Sequence, residues 1–219
     1  MRLFPALLLL TGCFGPPTEV DFGDPSLLGP LEPVNLAPEV QPVGDDAFPE
    51  VLTIASGHDD ENDRYWAHAR GWIKADSADV WASLRNLDVY SDRRSVDEYE
   101  LIGENTMPEF DFSFVVANHV NDVIAVNYDL TWVHELQEGT ITVPESIAIQ
   151  WDKTDGTQFI DLLSGSVIVR RVDGGLCEIE YIEHLRAAAR DEETLELYLG
   201  DVYADLRAHV HGEPLPTFE

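Results

Sequence analysis

The sequence predicts an α+β domain, in which one curved antiparallel sheet of seven strands packs against a long C-terminal helix. Two short helices are expected after the first strand. Two observations carry this prediction. Between Ser95 and Ala187 the chain falls into strand-length runs of alternating apolar and polar residues, separated by turn residues. Near the C-terminus, Leu195, Leu199, Val202, Leu206 and Val210 recur at helical spacing. A half-apolar sheet and one amphipathic helix bury their apolar surfaces most economically on each other.

The chain opens with Arg2 and a short apolar stretch, Phe4-Pro5-Ala6-Leu7-Leu8-Leu9-Leu10. A bilayer span needs roughly 20 apolar residues, so residues 1–12 read as a signal peptide. Leu10-Thr11-Gly12-Cys13 resembles the bacterial lipobox: an aliphatic residue, two small ones, then cysteine. That resemblance implies cleavage after Gly12 and a lipid anchor on Cys13. Phe14, rather than Asp, follows the cysteine, a pattern that implies outer-membrane sorting in enteric bacteria. The expected location is therefore the envelope of a Gram-negative bacterium, at its outer membrane.

Residues 13–63 read as an acidic, disordered tether. Eight prolines lie between Phe14 and Pro49, and no Lys or Arg occurs from residue 14 to residue 63. Proline removes donors and blocks helices, which favours an extended chain. The run Asp59-Asp60-Glu61-Asn62-Asp63 lacks the glycine and ligand spacing of an EF-hand loop, so a solvated linker is expected there.

The folded domain is expected over residues 64–212, with 213–219 as a tail. Ala69–Ala75 reads as the first strand. Asp76 and Ser77 offer caps for a helix over residues 78–84, and a second short helix is expected around Asp88–Arg93. Six strands follow: Ser95–Gly103, Phe110–His119, Val123–Leu136, Glu145–Asp152, Phe159–Val172 and Leu176–Ala187. In the third of these, Ile124, Val126, Tyr128, Leu130 and Trp132 point one way and Asn127, Asp129 and Thr131 the other. That alternation predicts one buried and one wet face. Asp155-Gly156 and Asp173-Gly174-Gly175 are the expected hairpin connections. The last helix spans about Asp191–His211, with acids at its positive end and Gly212 and Pro214 as its stop.

The stretch Gly71-Trp72-Ile73-Lys74-Ala75-Asp76-Ser77-Ala78-Asp79-Val80-Trp81-Ala82-Ser83-Leu84 resembles the opening of the START-like, or SRPBCC, superfamily. Phe159 with Gly165-Ser166-Val167-Ile168-Val169 resembles its late strand, although Val167 stands where an aromatic is common. Leu195-Glu196-Leu197-Tyr198-Leu199 resembles its terminal helix. The resemblance covers about residues 65–212. It implies a helix-grip fold with an apolar cavity between helix and sheet, in which family members bind lipids, sterols, polyketides or hormones.

On that reading Tyr128, Trp132, Trp151, Tyr181, Leu199, Val202 and Leu206 are the expected cavity residues. No nucleophile elbow, phosphate loop or paired cysteine motif is present in the sequence. His134 and Glu183 continue the inward parity of their strands and are the candidates for acid–base work, but both are expected at strand ends where water reaches them. No metal and no cofactor are expected, and His209 with His211 would diverge near a helix end. Cys177 reads as an inert buried thiol. With 13 Lys and Arg against 42 Asp and Glu, the net charge of −29 repels phosphate backbones and argues against nucleic acid as a partner. The expected partners are a hydrophobic small molecule and, through acylated Cys13, a membrane; the chain is expected to be a monomer. Two alternatives stay open: a cyclase- or hydrolase-type enzyme using the same cavity, and a cavity-less interaction module.

Overall fold

Apolar alternation continued over run after run makes each strand the natural neighbour of the next, and the chain folds as that pattern demands. The computed structural model describes residues 20–121, 125–188 and 191–218. Strands β1 (Leu52–Asp59) and β2 (Arg64–Ile73) come first. Helices α1 (Ser77–Ser83) and α2 (Leu87–Tyr90) follow. Then come β3 (Glu98–Glu104), β4 (Phe112–Asn121), β5 (Ala125–Thr140), β6 (Val143–Gly156), β7 (Ile160–Asp173) and β8 (Leu176–Ala187), and α3 (Glu192–Val210) closes the chain. The strands form one antiparallel sheet in the order β1-β2-β8-β7-β6-β5-β4-β3. Among the described residues no helix is long and apolar enough to cross a membrane.

The sheet has eight strands rather than the expected seven. The additional strand is β1, which lies inside the stretch expected to be a spacer and pairs along its whole length with β2. Its sequence, Leu-Thr-Ile-Ala-Ser-Gly-His-Asp, shows little alternation. Gly57 serves packing there, because a Cβ at that position would come within 2.8 Å of the Trp66 ring. The acidic run after it is a hairpin turn instead of a linker. The Asp59 carboxylate accepts from the backbone N–H groups of Glu61 and Asn62, from the Asn62 amide at 2.6 Å and from Arg64.

Helix α3 forms as its sequence predicts. Asp191 caps it by accepting from the Thr194 N–H. Leu195, Leu199, Val202 and Leu206 are buried along one stripe. Gly212 ends it with φ +68, a left-handed conformation that glycine adopts at no steric cost. The helix lies over β1 and β2 and against α1 and α2. The inner faces of β4 to β7 are therefore only partly covered by it.

The outer face of the sheet departs from expectation, since its middle is dry. Val133, Ala148 and Ile168 point outward from β5, β6 and β7 and are buried with Leu28 and Phe110 in a second apolar cluster. The cover is the N-terminal segment, which runs across the sheet from β5 to β2 as a strap. Gln150 donates to the Gly29 carbonyl at 2.7 Å, and the Leu31 N–H donates to Ser166 Oγ at 3.0 Å. Asn35 donates to the Ala69 carbonyl, Phe48 packs edge-on against Trp72, and Asp46 pairs with Lys74. From about Phe22 onward, the stretch expected as a tether is thus laid on the domain. Gly174-Gly175 connects β7 to β8 as expected. Asp155-Gly156 does not turn the chain; both residues belong to β6, and residues 157–159 connect it to β7. Cys13, the signal segment and Ile124 lie outside the described residues.

Candidate functional site

Where α3 stops short of covering the sheet, a cavity of about 490 Å³ opens between α2, α3 and the inner faces of β4 to β8. Its floor is aromatic. Trp132 on β5 and Trp151 on β6 are cross-strand partners whose rings stack at 4.5 Å between centroids. Such pairs contribute about 0.5–1.5 kcal/mol beyond their buried area. Tyr90 from α2 lies against Trp132 at 4.8 Å. Gly165, the partner of Trp151 on β7, makes room for the indole, because a Cβ there would stand 1.8 Å from the ring. Tyr198 and Leu195 of α3 form the roof, and Phe159, Ile160 and Leu163 form an apolar rim at one end.

The expected cavity residues divide into three groups. Tyr128, Trp132 and Trp151 line the cavity. Tyr181 and Val202 instead border a much smaller gap of about 10 Å³ beside it, together with Trp132, Trp151 and Tyr198. Leu199 and Leu206 are fully buried in core packing and line neither space. Parity reasoning did not find Tyr90, Asp92, Asn118 or Tyr198, all of which line the cavity. The only sequence signal for Tyr198 was its place in the terminal-helix resemblance.

Polar residues are a minority of the lining, Ser91, Asp92, Ser95, Asn118, Glu183 and Thr194 among them. Asn118 donates to the carbonyls of Val116 and Tyr128, and the Tyr198 hydroxyl donates to the Tyr90 carbonyl at 3.0 Å. Glu183 is different. It is 2% exposed, and its Oε2 has no hydrogen-bond partner. Burial pushes its carboxyl well above the usual carboxylate range, and the negative charge of Asp92 adds to that. The indole N–H groups of Trp132 and Trp151 and the Tyr181 hydroxyl are also buried without partners. Asp92 is held nearby because Arg93 and Arg94, the next two residues, pair with Asp205 and Asp201 of α3.

His134 and Glu183 are both buried, contrary to the expectation that water reaches them. They also do not meet. Strands β6 and β7 lie between them in the sheet, and His134 does not line the cavity. His134 accepts from the Trp81 indole N–H at 3.2 Å and packs beside Phe112 and Phe114. Burial, with the Arg85 charge, pushes it down to about 3. It is a neutral core histidine. Cys177 is likewise buried and pushed up to about 11 by burial, as an inert thiol should be.

Among the described residues one cluster of metal-ligating residue types forms, on the outer face under the strap. Glu32, His68 and His184 bring one ligand atom each to within 4.8 Å of one another. The ring protons argue against a cation there. The Leu36 N–H donates to His68 Nδ1 at 2.9 Å, and Arg64, which can only donate, lies 2.8 Å from His184 Nδ1. Both rings therefore carry their proton on Nε2. These nitrogens face the Glu32 carboxylate at 3.6 and 2.9 Å, and Arg64 also donates to Glu32 at 3.1 Å. A metal on Nε2 would need the protons on Nδ1, where donors already point. The cluster works as a carboxylate clamp that fastens the strap. His209 and His211 diverge: His209 bonds Ser83 and Asn86, while His211 bonds Glu50.

No protein-family model matches the sequence, and neither does any curated protein. Solved structures do. A STAR-related lipid transfer protein from Xanthomonas axonopodis is 14% identical with a TM-score of 0.54, covering 73% of this chain and 93% of its own. Human StAR-related lipid transfer protein 5 is 11% identical with a TM-score of 0.53, covering 74% and 82%. The lipid transfer and protein localization domain of human StarD13 is 9% identical with a TM-score of 0.50, covering 74% and 83%. At such identities the likeness speaks for the fold. It is a single antiparallel sheet gripping a C-terminal helix, the START-like architecture that the resemblance implied.

Proposed function

We propose that this START-like domain is held at the bacterial cell envelope by a lipid on Cys13, and that it takes an apolar or amphipathic small molecule into the cavity between α3 and the sheet. The carrying observation is the cavity itself. At about 490 Å³, walled by aromatic and aliphatic side chains with few polar groups, it has the size and lining of a small-molecule site. The names of the Xanthomonas and human neighbours, all described as lipid transfer proteins or domains, support a lipid-like ligand. The lipobox-like Leu10-Thr11-Gly12-Cys13 supports the anchor, and Phe14 supports the outer membrane.

The strap changes how that anchor would act. With the domain fastened from about Phe22, the distance from Cys13 to Phe22 is at most about 32 Å. The cavity would then work close to the headgroups instead of at the end of a long tether. Native mass spectrometry of the full chain purified from its own host tests the binding reading. The expected result is a co-purifying apolar mass, displaced when Trp151→Arg fills the cavity with charge; a bare protein mass from several preparations would count against it. The anchor is tested by fractionation, where Cys13→Ser should move the protein from the membrane to the soluble fraction.

A further inference from the structure

The polar groups of the cavity say what kind of molecule it accepts. Among the described residues lining it there is no Lys, Arg or His, while Asp92 and Glu183 are both present. Among these described residues an anionic ligand would meet only like charge. A cationic one would have to be desolvated opposite a carboxylate that must itself ionise in an apolar space, and in such a setting the desolvation cost can exceed the Coulombic gain. An uncharged ligand meets neither obstacle. Three residues that line the cavity also carry unsatisfied hydrogen-bonding capacity: Glu183 Oε2 and the indole N–H groups of Trp132 and Trp151 are buried with no partner. Buried polar groups are seldom left so, and two of these three can only donate.

We propose that the cavity takes an uncharged amphiphile carrying a carbonyl or hydroxyl oxygen, and that the Glu183 carboxyl is the group that receives that oxygen. This rests on the reading of the cavity as a binding site. A protonated carboxyl in an apolar wall is a hydrogen-bond donor preset for an oxygen acceptor, and burial keeps Glu183 in that form. The groups around it do not reverse this. Asp92 before β3 adds negative charge, and Tyr198 of α3 acts on Glu183 as a neutral phenol whose proton is already given to Tyr90. Glu183 belongs to β8, and its cross-strand neighbours Gly165 and Ala67 bring no charge. The ligand's apolar body then lies along the Trp132–Trp151 stack toward the rim at Phe159 and Ile160.

The test uses the full chain and a matched set of probes: decane, decanol, decanoate and decyltrimethylammonium. Binding is followed by tryptophan fluorescence and calorimetry. Decanol should bind at least about tenfold tighter than either charged probe, because burying a charge in this apolar space costs more than burying a hydroxyl. Its affinity should fall as pH rises and Glu183 ionises. Glu183→Leu should lower decanol affinity about tenfold without weakening decane, whereas Glu183→Gln, which still donates, should keep decanol binding and lose its pH dependence. Decyltrimethylammonium binding tightest, and tighter still as pH rises, would overturn the proposal by showing the carboxylate as a counter-ion. Unchanged decanol binding in Glu183→Leu would overturn it too, while leaving the cavity as a binding site. If none of the four probes binds, the binding reading itself falls.

Discussion

Gly165 shapes the cavity by having no side chain. The Trp151 ring occupies the place where its Cβ would be, at 1.8 Å, so Gly165→Ala must push the indole off its stack with Trp132. The expected cost is about 1–3 kcal/mol, seen in thermal unfolding together with a shift in tryptophan emission as the ring moves. His134 is constrained by a partner instead. His134→Phe leaves the Trp81 N–H buried and unpaired, for a loss of about 1–3 kcal/mol. Its titration has a definite sign. His134 and His184 sit at about 3 and about 4, below the ordinary 6.5, so each contributes stability that is present above 6.5 and lost as pH falls toward the folded value. Urea midpoints should therefore fall between about pH 6.5 and about pH 4, and less steeply in His134→Phe. Glu183 has the opposite sign. Its carboxyl is raised above 4.5, so stability drains away as pH climbs, and Glu183→Leu should flatten that slope. Strand parity correctly turns Trp132, Trp151 and Tyr128 inward. Helical spacing does not separate Tyr198, which lines the cavity, from Leu199, which packs in the core, because the two are neighbours on one helix.

Two elements escaped the sequence reading for one reason, the absence of a period. β1 contains Ser56 and Gly57 and pairs as an edge strand, and the strap before it is rich in proline and makes no regular ladder. Its contacts are single events: one carboxylate between two histidines, one amide on one carbonyl, one leucine in one hole. The predictable consequence is that the strap can be loosened piecemeal. Glu32→Ala leaves Arg64 and both rings short of an acceptor, and Leu28→Ala empties the second apolar cluster at about 2–3 kcal/mol. Hydrogen exchange at Ile168 and Val133 should quicken in either variant while α3 stays protected. Equal exchange across the molecule would mean that the strap and the sheet unfold as one. By contrast, α3 was legible to within a residue at each end, because its cap, stripe and stop glycine are all local signals.

For the whole molecule, charge and curvature set the behaviour. At −29, the chain repels itself, and its few cations are mostly engaged in ion pairs such as Arg94–Asp201 and Arg70–Glu180. Raising salt from about 0.01 M to about 0.15 M shortens the screening length from about 30 to about 8 Å. The melting temperature should rise over that range, and a fall would show that the ion pairs outweigh the repulsion. The sequence by itself determined the kinds and order of the elements from Ala69 onward, the inward parity of the strands and the buried stripe of α3. These follow from backbone periodicity, a property of neighbours along the chain. Only the tertiary structure decided that the outer face is roofed, that His134 is sealed away from Glu183, and that α3 leans toward β1 and β2. A cavity exists because two surfaces are held apart, and that separation is set by contacts between residues distant in sequence.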